Sequence, residues 1–133
     1  RHTALVGFNV TVGKRRDWIL SASYQFHTGR PHTPVSPVLN GAGDNYIFEL
    51  GELNSERYGN FHEINLRSEI FRTFRRAKFT FYVEVLNLTN FQSEFLYIWG
   101  DATVDEDGNL RVPERRTFTH LPIRPWFGFR LEF

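Results

Sequence analysis

The 133-residue chain has no cysteine and no methionine. Without cysteine, disulfides and thiolate-bound metals are excluded. A translated chain opens on Met, so a sequence that starts at Arg1 and contains none reads as a processed product or a piece of something longer. Net charge is also missing: 16 Lys and Arg stand against 15 Asp and Glu. That balance excludes the basic excess of a general nucleic-acid binder, so no nucleic-acid partner is expected. No run approaches the ~20 apolar residues of a membrane helix, no signal peptide is visible, and helical periodicity is nearly absent. What the chain does have is aromatic mass. Phe, Trp and Tyr make up 17% of residues and Phe alone counts 14, in a chain of mean hydropathy −0.40. A low mean hydropathy does not exclude a membrane, because barrel strands alternate lipid-facing apolar residues with polar lumen residues.

Five segments alternate with period two, the signature of strands with one apolar face. In "TALVGFNVTVG", Ala4, Val6, Phe8, Val10 and Val12 oppose Gly7, Asn9 and Thr11. After the basic turn "GKRRD", "WILSASYQFHT" sets Trp18, Leu20, Ala22, Tyr24 and Phe26 against Ser21, Ser23, Gln25 and His27. The third segment, "FHEINLRSEIFR", sets Ile64, Leu66 and Ile70 against Glu63, Asn65, Arg67 and Glu69, with Ser68 interrupting the apolar side. A second basic turn near "TFRRAK" leads to "FTFYVEVLN", where Phe79, Phe81, Val83 and Val85 face away from Thr80, Tyr82 and Glu84. The chain ends on "RPWFGFRLEF", with Phe127, Phe129, Leu131 and Phe133 of one parity and Trp126, Gly128, Arg130 and Glu132 of the other.

Two long connections, roughly 29–60 and 88–121, join these hairpins and carry most of the acids. Up-and-down strands would put both short turns at one end and both long loops at the other, the asymmetry of outer-membrane barrels. The polar face needs water or ionic partners, with Glu63, Arg67, Glu69, Glu84 and Arg130 as its lumen-facing charges. The apolar face must be covered, and no amphipathic helix is available to cover it. Five strands cannot close a membrane barrel, the smallest of which have about 8. The sequence therefore predicts an all-β fold: antiparallel up-and-down strands forming the C-terminal segment of a transmembrane β-barrel, a single unit over 1–133. Trp18 and Phe133 near the short-turn end, and Tyr24 and Phe26 toward the loop end, fit interfacial girdles. Two registers of the second hairpin keep the faces consistent, one with Arg67 opposite Glu84 and one with Arg67 opposite Tyr82. Charge complementarity favours the first. The stretch "EFLYIW" is expected to extend the sheet above the membrane as a short strand.

These residues also resemble a known family. "FYVEVLNLTNF" is similar to the end of the penultimate hairpin of TonB-dependent outer-membrane receptors, whose Asn-Leu-x-Asn element reads here Asn87, Leu88, Thr89, Asn90. "HTGRPHTP" resembles the family's Gly-Arg-Pro-x-Thr-Pro element, and "YGNFHEINLR" the start of the strand after it. "LPIRPWFGFRLEF" resembles the final strand. Gly128, Leu131 and Phe133 match the outer-membrane assembly signal Gly-x-x-apolar-x-aromatic, although Trp126 stands where a polar residue is usual. The resemblance covers nearly the whole chain. It implies a bacterial outer-membrane barrel of roughly 22 strands with a plugged lumen, taking up scarce siderophores, cobalamin or glycans. The partners implied are outer-membrane lipid, the barrel assembly machinery, a small-molecule or glycan ligand, and a TonB-type energy-coupling protein engaged through an N-terminal part outside this sequence. In the long loops, Tyr46, Phe48, Tyr97 and Trp99 are the candidate ligand contacts.

Other chemistries fit less well. His27, His32, His62 and His120 match no compact ligand spacing, and "DATVDEDG" lacks the Gly and Glu positions of a calcium loop. Ser, His and Asp lie in no triad or nucleophile-elbow context. The expectation is neither an enzyme nor a metal or cofactor protein. The alternative is a non-transport barrel, or a soluble β-module that binds a ligand or partner on a strand face.

Overall fold

The computed structural model describes residues 2–133. The strands, in chain order, are β1 (Thr3–Val12), β2 (Trp18–His27), β3 (Pro31–His32), β4 (Val35–Leu39), β5 (Tyr46–Leu50), β6 (Glu56–Arg57), β7 (Phe61–Phe74), β8 (Ala77–Leu86), β9 (Glu94–Trp99), β10 (Thr103–Val104), β11 (Leu110–Arg111), β12 (Arg115–Thr119) and β13 (Arg124–Glu132). Among the described residues there is no helix. The chain divides into two compact units. One takes in the chain up to Thr28, Asn60–Gln92 and Leu121–Phe133; the other takes in Gly29–Gly59 and Ser93–His120.

The first unit is one antiparallel sheet in the order β1-β2-β7-β8-β13. Its strands are neighbours in their order along the chain, as the alternating segments predict. β1 and β13 are its edges, so the sheet is open. Val12 pairs with Trp18 across the first turn, and Arg67 pairs with Glu84 in the second hairpin, the register that charge complementarity favours. β7 runs to Phe74, past the alternating segment in the sequence, and a tight turn at Arg75-Arg76 joins it to Ala77.

The period-two alternation puts a continuous apolar surface on one side. Phe8, Trp18, Leu66, Ile70, Phe81, Val83, Phe127 and Phe129 all lie on it, and all are exposed. Ser68, which breaks that face in the sequence, accepts the Trp18 indole N–H at 2.8 Å. Burial in this chain is inverted. Phe61, at 6% exposure, is the one buried hydrophobic residue among those described, whereas Thr80, Asn87 and Ser93 are buried and polar.

The buried Asn87 explains the "NLTN" element. Its side-chain Nδ2 donates to the carbonyls of Phe91 (3.0 Å) and Leu121 (2.9 Å). Its Oδ1 accepts from the Phe91 N–H at 3.1 Å and from the Thr89 hydroxyl at 3.4 Å. Its own N–H donates to Asn65 Oδ1 at 2.9 Å, and Asn90 Oδ1 accepts the Ile123 N–H at 3.0 Å. A buried amide satisfied at every position fixes where β8 ends and where the chain returns toward β13.

The second unit consists of hairpins that the sequence shows only as long connections. β4 pairs with β5, β3 with β6, β10 with β11, and β9 with β12. β9 is the expected "EFLYIW" strand, but it does not extend the five-stranded sheet: it pairs with β12 in a two-stranded sheet of its own.

Candidate functional site

The polar face of the sheet is built by the residues of the second parity. β7 contributes Glu63, Arg67 and Glu69, β8 contributes Tyr82 and Glu84, and β13 contributes Gly128 and Arg130. Arg67 is its hub. The guanidinium Nη2 lies 2.8 Å from Glu69 Oε2, Nη1 lies 3.6 Å from Glu84 Oε2, and Cζ lies 4.1 Å from the centre of the Tyr82 ring. One cation thus meets two carboxylates and a ring, a packing suited to the planar, forked guanidinium. Arg130 is held by Glu132, with Nε 3.1 Å from Oε1. Glu63 has no ion pair among the described residues.

Tyr82 faces Gly128 across the β8–β13 pair. A Cβ at Gly128 would come within 2.6 to 2.8 Å of the ring's Oη, Cζ and Cε1. The glycine of the terminal motif is therefore the slot into which this ring lies, and Arg67 covers the ring. Leu131 and Phe133 are of the opposite parity, on the apolar side, and Phe133 is 97% exposed. Trp126, where a polar residue is usual, pairs with Glu84 on the polar face.

In the second unit, Tyr97 and Trp99 come together on β9, their rings edge to face at 6.5 Å. Both grip β4: the Val35 N–H donates to Tyr97 Oη at 3.1 Å, and Trp99 Nε1 donates to the Val35 carbonyl at 2.8 Å. His32 stacks on Tyr58 at 4.1 Å and meets the edge of Tyr97, while Arg115 lies 4.8 Å over the Tyr97 ring. Tyr46 and Phe48 sit on β5, opposite Leu39 and Pro37. They share one side of that hairpin, where Phe48 is exposed.

Two features of this unit have only weak signals in the sequence. The first is the need for glycine in "HTGRPHTP". A Cβ on Gly29 would fall 1.8 Å from the Tyr58 carbonyl oxygen, so the two segments touch backbone to backbone. The Tyr58 N–H closes the contact by donating to the Arg30 carbonyl at 3.1 Å. The second is a groove of about 370 Å³ lined by Asp101, Thr103, Arg111, Glu114 and Arg116. Its charges of both signs suit a polar ligand. The run "DEDGN" forms the turn beside it, where the Asp105 carboxylate accepts the Asn109 N–H at 2.7 Å.

Four of the histidines pack against aromatic rings, and polar contacts accompany the packing: His32 Nε2 lies 3.6 Å from Glu56 Oε2, and His120 Nδ1 lies 2.9 Å from the Ser93 carbonyl oxygen. His27 stacks on Phe61 at 4.6 Å, His62 meets Phe91 edge-on at 3.9 Å, and His120 lies 5.0 Å from Phe95. No protein-family model matches this chain, and no match is found among curated proteins or among solved structures.

Proposed function

We propose that this chain is the C-terminal part of a TonB-dependent receptor in a bacterial outer membrane, taking up a scarce nutrient of siderophore, cobalamin or glycan type with energy supplied from the inner membrane. The observation that carries this reading is the exposed apolar face of the five-stranded sheet. Phe81, Val83, Phe127 and Phe129 stand exposed on contiguous antiparallel strands, while the other face gathers Arg67, Glu69, Glu84 and Arg130. A soluble sheet would cover such a face with a second layer. A barrel wall gives it to lipid and gives the charged face to the lumen. The open edges β1 and β13 support the same reading, because a free strand edge is a template for further strands. The second unit then supplies the ligand contacts, with Tyr46, Phe48, Tyr97, Trp99 and the Asp101–Arg116 groove as candidates.

The test uses the full-length protein. It should fractionate with the outer membrane, run as a heat-modifiable band, and be preceded by a domain-sized plug of roughly 100–150 residues. Uptake of its ligand should stop when the inner-membrane energy source is collapsed. A heat-modifiable barrel without a plug would make it a non-transport barrel, and a protein recovered in the soluble fraction would make it a ligand-binding β-module.

A further inference from the structure

Charge is balanced over the whole chain but not over the fold. The sheet unit carries 11 Lys and Arg against 5 Asp and Glu, and the second unit carries 5 against 10. Within the sheet unit the excess gathers at the short-turn end. Residues 13–17 and 72–78 contain seven Lys and Arg against one acid, Asp17. Arg72 is paired with Asp17, and Lys78 lies 4.0 Å from Glu132. Lys14, Arg15, Arg16, Arg75 and Arg76 remain, all exposed and without a carboxylate partner among the described residues.

Two of these cations stand where the backbone resists them. Arg16 has a φ of 51° and Arg75 a φ of 55°, the left-handed region that hairpin turns ordinarily fill with Gly or Asn. Long cationic side chains at both tips point to a use for the charge. The apolar face ends directly beneath them. Trp18 opens β2 one residue after Asp17, exposed Phe74 precedes Arg75, and the Arg75 guanidinium lies 5.7 Å over the Phe74 ring. Aromatic bodies at the margin of an apolar surface, with cations just beyond, are the chemistry of a membrane interface. The stems lie along apolar surface and the charges reach the headgroup layer.

We infer that the short-turn end binds the phosphates of anionic phospholipids in the leaflet that borders it, through Lys14, Arg15, Arg16, Arg75 and Arg76. This rests on the barrel reading above. A nucleic acid or an acidic protein suits the rim less well, because either would have to share it with the exposed apolar face. The expected preference for an anionic over a zwitterionic headgroup is about fivefold for each cation within reach, and it is electrostatic, so salt weakens it.

The experiment uses the full-length protein in phosphatidylcholine bilayers containing spin-labelled phosphatidylglycerol or spin-labelled phosphatidylcholine. Electron paramagnetic resonance separates lipid held at the protein surface from bulk lipid. At low salt the held fraction should favour phosphatidylglycerol by about fivefold or more, and the preference should decline as salt rises. Joint replacement by Lys14→Gln, Arg15→Gln, Arg16→Gln, Arg75→Gln and Arg76→Gln should abolish it, whereas Arg111→Gln with Arg116→Gln should leave it unchanged. Equal retention of both lipids by the wild-type protein, or a preference indifferent to salt, overturns the proposal and leaves the barrel reading standing. The salt series needs no variant to fold. A protein that holds no lipid and is stripped from the bilayer by alkaline washing overturns both readings.

Discussion

Replacing Gly128 with alanine tests the polar face at its tightest point. In an ordinary strand interior the change stabilises by about 0.5–1 kcal/mol, because glycine has more conformational freedom to lose. Here the new methyl would lie 2.6 to 2.8 Å from three atoms of the Tyr82 side chain, which must swing away. Overpacking of this kind costs about 1–3 kcal/mol. Displacing the ring also weakens its stack with Arg67, worth about 0.5–1 kcal/mol at an accessible site. The net prediction is a destabilisation of about 1–2 kcal/mol for Gly128→Ala. In a Tyr82→Ala background the obstacle is gone, and the same substitution should stabilise by about 0.5–1 kcal/mol. The sign reverses, giving a coupling of about 2 kcal/mol, within the range for residues in direct contact. Tyr82→Phe should not release it, because Cζ and Cε1 stay in place. The assay is equilibrium urea unfolding of the full-length protein in detergent micelles for the four members of the cycle. An equal effect of Gly128→Ala with Tyr82 intact and in the Tyr82→Ala background would refute the ring-in-slot argument.

Four further outcomes are expected. Phe129→Arg, on the apolar face, should lower barrel stability by about 2–4 kcal/mol if that position lies near mid-bilayer; a loss below about 1 kcal/mol in the same urea assay would argue against lipid contact. Deleting Phe133 should slow the appearance of heat-modifiable barrel in the outer membrane while leaving the unfolding midpoint of assembled protein nearly unchanged; wild-type assembly kinetics would remove the terminal aromatic as an assembly signal. Asn87→Leu strands two carbonyls and an N–H at a buried site, at about 1–3 kcal/mol for each unsatisfied group, so the variant should unfold at markedly lower urea than Thr89→Ala. Deleting Asp101–Arg111 removes the β10–β11 hairpin and part of the groove's lining, Asp101, Thr103 and Arg111, and should change ligand affinity with barrel yield intact; lost assembly with unchanged affinity would reverse the assignment.

The strands of the main sheet are legible in the sequence because each puts apolar side chains on one face and polar ones on the other, and a period-two pattern records that separation. The register of the second hairpin is legible for a related reason: Arg67 and Glu84 carry opposite charges on facing strands. The hairpins of the second unit leave no such trace. β4, β5 and β12 do not separate an apolar face from a charged one, and β9 meets β12 only after the β10–β11 excursion. Tyr97 and Trp99 stand out as aromatics, yet their hydrogen bonds to Val35 reach across 62 and 64 residues of chain. The same distance problem hides the requirement at Gly29, whose obstacle is the carbonyl of Tyr58.

The Asn87 clip has a consequence for how such a protein changes over time. One carboxamide holds the carbonyls of Phe91 and Leu121, the two ends of the excursion that contains β9 to β12. With both ends pinned, a longer or shorter insert between them leaves the pairing of β8 with β13 in place. The closure penalty grows only with the logarithm of insert length, about 0.6 kcal/mol per doubling. The excursion behaves as a cassette: its length and chemistry can be rewritten wholesale, while the sheet that carries it inherits no change in register.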